Sequence, residues 1–429
     1  MKGLDYMQSF LASRKGHLAG FILMYLLLTV EYYRFVYRNY QELMGFDLAG
    51  DAVTIVVGLA MVAMMVWVMF FLPGEDNGLY AVSMIVALLY CLPAIVMYQI
   101  GGTSVFVPLY SILFFLLLRV PLKLKPGQWT LPRIPVRWQR YVLPGVCLLC
   151  LLPFPLAYGW HLDFSLFGMG TETYAVREAV SAKGNLLTAY LLGPLRMVLL
   201  PMLIVYGLTD FRKSWWMTLA GVVGMLFLFL LNPQKSIFFA VAVVLMMFLF
   251  KSHYAKAGLI LYGLAGACVA SVLLNVATGH LMAESIVVRR LFFIPVLVSD
   301  NYFAFFDGNP MYLSHSFLRH WFDYPYDMEP SRMIGYVMYD RLTTNCNTGI
   351  VADGFMNFGH PGAIVFVLLG ALFVRCVEWQ MDNARFFGLL ALLVFTFLNS
   401  ALFTTLLTHG GLVLLLAACF LIPKTGQEQ

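Results

Sequence analysis

AVTIVVGLAMVAMMVWVMFFL, residues 52–72, runs through 21 positions without one charged side chain. A hydrocarbon layer about 30 Å thick is crossed by about 20 residues of α-helix, so a block of this length and composition reads as a membrane-spanning helix. Eleven further apolar segments accompany it, at approximately 16–31, 79–98, 104–120, 141–158, 186–207, 215–231, 236–250, 257–275, 362–377, 386–403 and 408–423. Hydrophobic residues fill 61% of the 429 positions and charged residues only 11%, a balance no soluble domain sustains. The expected fold class is an all-α polytopic membrane protein of about twelve transmembrane helices.

Lys2, Arg14 and Lys15 precede the first segment and no small-residue cleavage site follows it, so a retained helix is expected instead of a removed signal peptide. The seven cysteines fall mostly inside apolar segments, and only Cys346 lies in a long polar loop, which argues against a disulfide framework. Cys147 and Cys150 form a CxxC within an apolar segment, with no partner pair or nearby histidine, and read as packing residues.

The net charge of +5 is a topology signal and does not call for a nucleic acid, because the basic residues sit in short loops between spans. With a cytoplasmic N-terminus, sixteen of the twenty-seven collect on one face: Lys2, Arg14, Lys15, Arg119, Lys123, Lys125, Arg133, Arg137, Arg140, Arg212, Lys213, Lys251, Lys256, Arg375, Arg385 and Lys424. Both termini are therefore expected in the cytoplasm. The opposite face receives two long polar loops, 159–185 and 276–361, which hold the residues polar enough for chemistry. No repeat or low-complexity linker divides the chain, so one membrane domain, 1–429, carrying an external loop module is expected. In that module SIVVRRLFFIPVLVSDNYFAFF, 285–306, reads as an amphipathic or interfacial helix. NTGIVADGFMNFGHPG, 347–362, reads as a turn-rich segment that closes the loop and re-enters the membrane, with Pro361 opening the next helix.

Several cations stand where they are costly. Arg196, in LLGPLRMVLLP, lies inside an apolar segment, where an arginine costs at least about 2.5–3.5 kcal/mol at the bilayer centre, so it needs a ligand, a cavity or a route to the headgroups. Lys235 follows the helix-start pair Asn232–Pro233, an arrangement suited to an anion or to simple interfacial anchoring. Arg289 and Arg290, with Arg319, Arg332 and Arg341, sit on the face the topology keeps poor in positive charge. Their guanidinium groups suit a diphosphate, or salt bridges to Asp300, Asp307 or Asp340. His315, His320, His360, Asp323, Asp327, Glu329, Asp340 and Asp353 are candidates for proton transfer, and the sequence does not choose among them. Tyr302, Tyr312, Trp321, Tyr336 and Tyr339 belong to an aromatic crowd suited to sugar rings or to a membrane-interface belt. No HExxH occurs and no metal is expected, although DYPYDME, 323–329, has oxygen ligands for a hard cation.

The order RRLFFIPVLVSDNYFAFF, then Ile334–Gly335, then NTGIVADGFMNFGHPG leading into a span, resembles the Wzy-type oligosaccharide repeat-unit polymerases that build bacterial O-antigen and capsule. LLGPLRMVLLP and the LNPQKS turn resemble them more loosely; the chain departs there, carrying Gln234 and Lys235 where an arginine is more usual. The resemblance implies a glycosyltransferase-C-like bundle of the bacterial inner membrane. It implies transfer of a growing glycan from undecaprenyl diphosphate to a hydroxyl of a second lipid-linked repeat unit, with no cofactor and with a chain-length regulator as a partner. On that reading Arg289 and Arg290, then Arg196, Lys235 and Arg341, stabilise the leaving diphosphate. Asp353 is the first candidate base, followed by His315 and His360, and Tyr302, Asn347, Asn357 and Trp321 bind sugar. Two rivals are an O-antigen ligase, which shares the donor, and a lipid-linked oligosaccharide flippase. The flippase predicts charges along a central pathway and two related halves, and neither is visible.

Overall fold

The computed structural model describes residues 2–121, 133–160, 162, 183–234, 236–316, 318–341 and 344–424, and among them the chain is helical with no strand. Among the described residues eight helices are long and apolar enough to cross a membrane: Arg14–Met44, Ala52–Phe71, Gly78–Gly101, Arg137–Tyr158, Leu186–Thr209, Arg212–Leu231, His253–Thr278 and Ile350–Met381. Four shorter apolar helices, Phe106–Arg119, Ser236–Phe248, Ala384–Asn399 and Gly411–Phe420, fall on the remaining apolar segments. Most of the expected loop 159–185 lies outside the described residues.

The chain divides into two compact units. The first comprises Met1–Lys123, Ser252–Arg375 and Val394–Leu402. Its centre is Gly78–Gly101, 89% buried over its most apolar stretch, while Ala52–Phe71 is only 33% buried and leaves most of its apolar surface exposed. Asp51 starts Ala52–Phe71 with a capping box, its carboxylate accepting from Thr54 N–H at 2.8 Å. At the other end the last-turn carbonyls need donors. Arg14 donates to Phe70 O at 2.9 Å, and Arg119 donates to Met69 O and Leu72 O, each at 3.2 Å. Arg375 does the same for Phe106–Arg119, donating to Leu117 O at 2.6 Å and Leu118 O at 3.0 Å. Three arginines thus gather at the end of the unit where Arg14–Met44 begins, each complementing a helix C-terminus.

Arg14–Met44 runs well past the expected segment 16–31, through a π-helical stretch at Tyr32–Tyr37. Its 31 residues extend about 46 Å, so it projects beyond one hydrocarbon thickness. A second departure concerns 285–306. Met282–Glu284, Ser285–Phe293 and Ile294–Phe306 form one uninterrupted helix, and it packs inside the unit instead of lying on a surface. Tyr90, from the middle of Gly78–Gly101, shares a 3.0 Å hydrogen bond with Ser299. Phe293 meets Tyr32 edge-on at 5.2 Å. Val288, Phe292, Phe293, Val296 and Val298 are buried, so the apolar residues that suggested one lipid-facing stripe are covered by protein.

The stretch 347–362 departs most. It is helical from Ile350, and Phe358 and Gly359 then break the helix, Gly359 at φ 63°, ψ −153°. Eight residues of continuous helix would separate Gly354 from Gly362 by about 12 Å. Instead a Cβ on either would collide with the other's carbonyl, and Ile350 Cδ1 lies against Gly370. The chain doubles back: 350–357 is a short helix folded against 361–381, which is itself about the length of a span. A positive φ and a backbone contact this close both call for glycine. Pro361 stands in the first turn after the break, the opening position expected from the sequence.

The second unit comprises Leu124–Lys251, Cys376–Leu393 and Phe403–Gln429. Leu186–Thr209 is the most enclosed of its spanning-length helices at 83% and starts with an Asn185–Thr188 capping box. Arg133 donates to Gln380 O at 2.8 Å and also to Ile422 O, while Asn383 Nδ2 reaches Pro423 O at 3.0 Å. The chain end after Gly411–Phe420 therefore returns beside the start of Ala384–Asn399, which makes the last two apolar segments a hairpin. Cys147 and Cys150 are free thiols in Arg137–Tyr158.

Candidate functional site

A cavity of about 590 Å³ lies in the first unit, a size ordinary for small-ligand pockets. Its wall comes from separate pieces of chain. Tyr40, Leu43 and Met44 end Arg14–Met44; Arg289, Arg290, Ile294 and Val298 lie on the 282–306 helix; Tyr339 and Arg341 follow from Pro330–Tyr339. Thr344 to Asn347 and Asn399 complete it.

The loop side is fixed by its own backbone. Pro330–Tyr339 stops at Asp340, held at φ 50° in the left-handed region with its N–H returned to Tyr336 O at 2.8 Å. That turn delivers Arg341, whose N–H donates to Gly335 O at 3.3 Å, and Thr344 N–H then donates to Arg341 O at 3.2 Å. Any Cβ on Gly335 would strike the Thr344 carbonyl, so this glycine lets the loop lie down on the helix. Cys346 is clamped twice: its N–H donates to Ser331 O at 3.0 Å, and its carbonyl accepts from Tyr302 OH at 2.9 Å.

The electrostatics are one-sided. Among the described residues lining the cavity there are three arginines and no Asp, Glu or His. Arg289 is half-buried, and burial, then the like charge of Arg290, works against its positive charge, partly offset by the Tyr40 ring and hydroxyl. A guanidinium stays protonated regardless, so an entering anion relieves the unfavourable field. Arg290 and Arg341 are exposed. Burial pushes the Cys346 thiol up to about 11 and raises the Tyr339 phenol, so both remain neutral donors at ordinary pH. Asn345, Asn347 and Asn399 offer amide groups, suited to hydroxyls. The arrangement can hold a multiply charged phosphate group against polar and aromatic surface.

The structure therefore brings together Arg289, Arg290, Arg341, Tyr339 and Asn347 of the residues expected from sequence. The others lie elsewhere. Asp353 is 2% exposed, and its oxygens accept from Leu402 N–H at 2.7 Å and Asn357 Nδ2 at 3.1 Å, tying the 350–357 helix to the helix break after Asn399. Asn357 is buried and receives Leu313 N–H at 2.9 Å, and Tyr302 is buried behind the Cys346 loop. His360 Nδ1 shares a 2.8 Å hydrogen bond with Tyr110 OH and packs on Phe106. His315 sits beside Tyr324, and burial lowers its pKa. Trp321 is 81% exposed. Arg196 belongs to the second unit, where it donates to Ser236 Oγ at 3.0 Å, and Lys235 lies outside the described residues.

Tyr40, Met44, Asn345 and Asn399 line the cavity but were not singled out from sequence. A signal exists for the first: EYYRFVYRNY, 31–40, continues straight from the first apolar segment with aromatic and basic residues. No protein-family model, curated protein or solved structure matches the chain.

Proposed function

We propose that this protein polymerises undecaprenyl-diphosphate-linked oligosaccharide repeat units, transferring the growing glycan en bloc at the outer face of the bacterial inner membrane. The observation that carries this reading is the convergence of Arg289, Arg290 and Arg341, from two separate stretches of chain, on one cavity that also presents asparagine amides and tyrosine rings. In such a reaction the anomeric carbon–oxygen bond to the diphosphate breaks as the acceptor hydroxyl forms the new glycosidic bond. Charge grows on the departing diphosphate, and preorganised cations stabilise it. Bidentate guanidinium contacts suit a diphosphate, and the tyrosine rings and amides offer a surface for the first sugar. Undecaprenyl diphosphate is already a good leaving group, so the reading requires no nucleotide.

Within this proposal the four shorter apolar helices complete twelve spans in a glycosyltransferase-C-like bundle, both termini are cytoplasmic, and the cavity opens to the opposite side. Support for the orientation lies in the first unit, where Arg14, Arg119 and Arg375 cluster at one end and the cavity lies by the far end of the same Arg14–Met44 helix. Deleting the gene should leave the host's surface polysaccharide capped with a single repeat. Loss of every attached repeat would point instead to a ligase or a flippase.

A further inference from the structure

Arg289 is gripped in a way its neighbour Arg290 is not. Its Nε and Nη2 donate to Ser285 Oγ at 3.0 and 2.8 Å, its Nη1 lies 2.8 Å from Met44 Sδ, and its Cζ stands 4.2 Å from the centre of the Tyr40 ring. Hydroxyl, thioether and aromatic face are all neutral, so the grip fixes the guanidinium without cancelling its charge. Two acids on the same helices, Glu31 and Glu284, are occupied elsewhere: Arg34 pairs with Glu31 at 2.6 Å and with Glu284, and Asn275 Nδ2 also donates to Glu284 at 2.5 Å.

Two π-helical stretches make the grip possible. Tyr32–Tyr37 lies on Arg14–Met44 and Ser285–Phe293 on the 282–306 helix, and they face each other through Tyr32 and Phe293. One extra residue in a helical turn rotates everything after it by about 100°. That rotation turns Tyr40 and, one turn later, Met44 toward the opposite helix. Arg34, inside the first stretch, bonds Glu284 at the head of the second and pins the two in register.

We infer that Tyr40 and Ser285 are positioning residues for Arg289, holding its guanidinium aimed into the cavity through the paired π-helical turns so that it meets a phosphate already oriented. This rests on the diphosphate reading of the cavity and adds what prepares it. A pre-aligned donor gives up little freedom on binding, so loss of the grip should appear as weaker anion binding with the fold intact.

The test uses the full-length protein purified in detergent and inorganic pyrophosphate as the probe, titrated calorimetrically at low ionic strength. Wild-type protein should bind, and Arg289→Ala should bind about tenfold or more weakly, with Arg290 and Arg341 holding the remainder. Tyr40→Leu and Ser285→Ala should each weaken binding about three- to tenfold at an unchanged melting midpoint, while Tyr40→Phe, which keeps the ring and loses only the hydroxyl, should bind more tightly than Tyr40→Leu. In the Arg289→Ala background Tyr40→Leu should have no further effect. The inference is overturned if Tyr40→Leu and Ser285→Ala bind as wild type while Arg289→Ala does not, or if Tyr40→Leu weakens binding equally with and without Arg289. A wild-type protein that ignores pyrophosphate overturns the diphosphate reading itself, and the inference with it.

Discussion

Arg289, Arg290 and Arg341 share one cavity wall, so a carboxylate-free cluster of positive charge faces whatever enters. If that cluster holds the leaving diphosphate, Arg289→Ala and Arg290→Ala should each abolish long chains while the protein still inserts at normal levels. Polysaccharide ladders resolved by gel would check this, and ladders of wild-type length in both variants would rule out the diphosphate assignment. Asp353 poses a different question at the same scale. Its carboxylate fastens Leu402 N–H and Asn357, away from the cavity lining, and removing the acceptor leaves a buried N–H unpaired at about 1–3 kcal/mol. Asp353→Ala should therefore lower the melting midpoint and the amount of folded protein, whereas Asp353→Asn, which keeps one oxygen for Leu402 N–H but turns an amide N–H toward Asn357, should cost less stability than Asp353→Ala and keep chain length. Normal stability with lost polymerisation in Asp353→Asn would return Asp353 to the role of base.

The helical hairpin around Gly359 is the element least visible beforehand. Apolar segments of about 20 residues announce themselves by composition, so the twelve of them fall on helices without help from tertiary structure. A helix of eight residues carrying Asp353, Gly354 and Asn357 is too short to be told from a loop, because its polar groups are satisfied partly by partners such as Leu402 and Leu313 that are distant in sequence. The helix over 285–306 is legible in the sequence, but its charged and aromatic residues suggest a membrane surface, and its packing against Tyr90, Tyr32 and Arg34 depends on partners distant in sequence. Arg289, Arg290 and Arg341 were legible as cations on the wrong side of the charge bias, but their meeting place depends on the turn at Asp340 and the loop after it. Close packing gives the hairpin its own prediction. Gly354→Leu or Gly362→Leu forces a side chain into the facing backbone, with a cost expected to exceed about 3 kcal/mol, and should abolish the monodisperse peak in detergent size exclusion. Gly263→Leu, where nothing lies within 4 Å, should leave that peak unchanged. Equal behaviour of the three variants would count against the folded-back arrangement.

At the scale of the whole molecule, the basic helix ends and the arginine-lined cavity should lie on opposite sides of the membrane. In a cysteine-free background, Asn347→Cys should react with a membrane-impermeant maleimide added to intact spheroplasts, and Lys424→Cys should react only after lysis. The reverse pattern would invert the topology and put the cavity on the cytoplasmic side. The central claim, en bloc polymerisation, is met most directly by incubating the purified protein with a single undecaprenyl-diphosphate-linked repeat unit and resolving the lipid-linked products. A ladder of lipid-linked multiples, with one undecaprenyl diphosphate released per bond formed, is the predicted result; repeat units left at length one, or transferred only when a lipid A core acceptor is supplied, would contradict it.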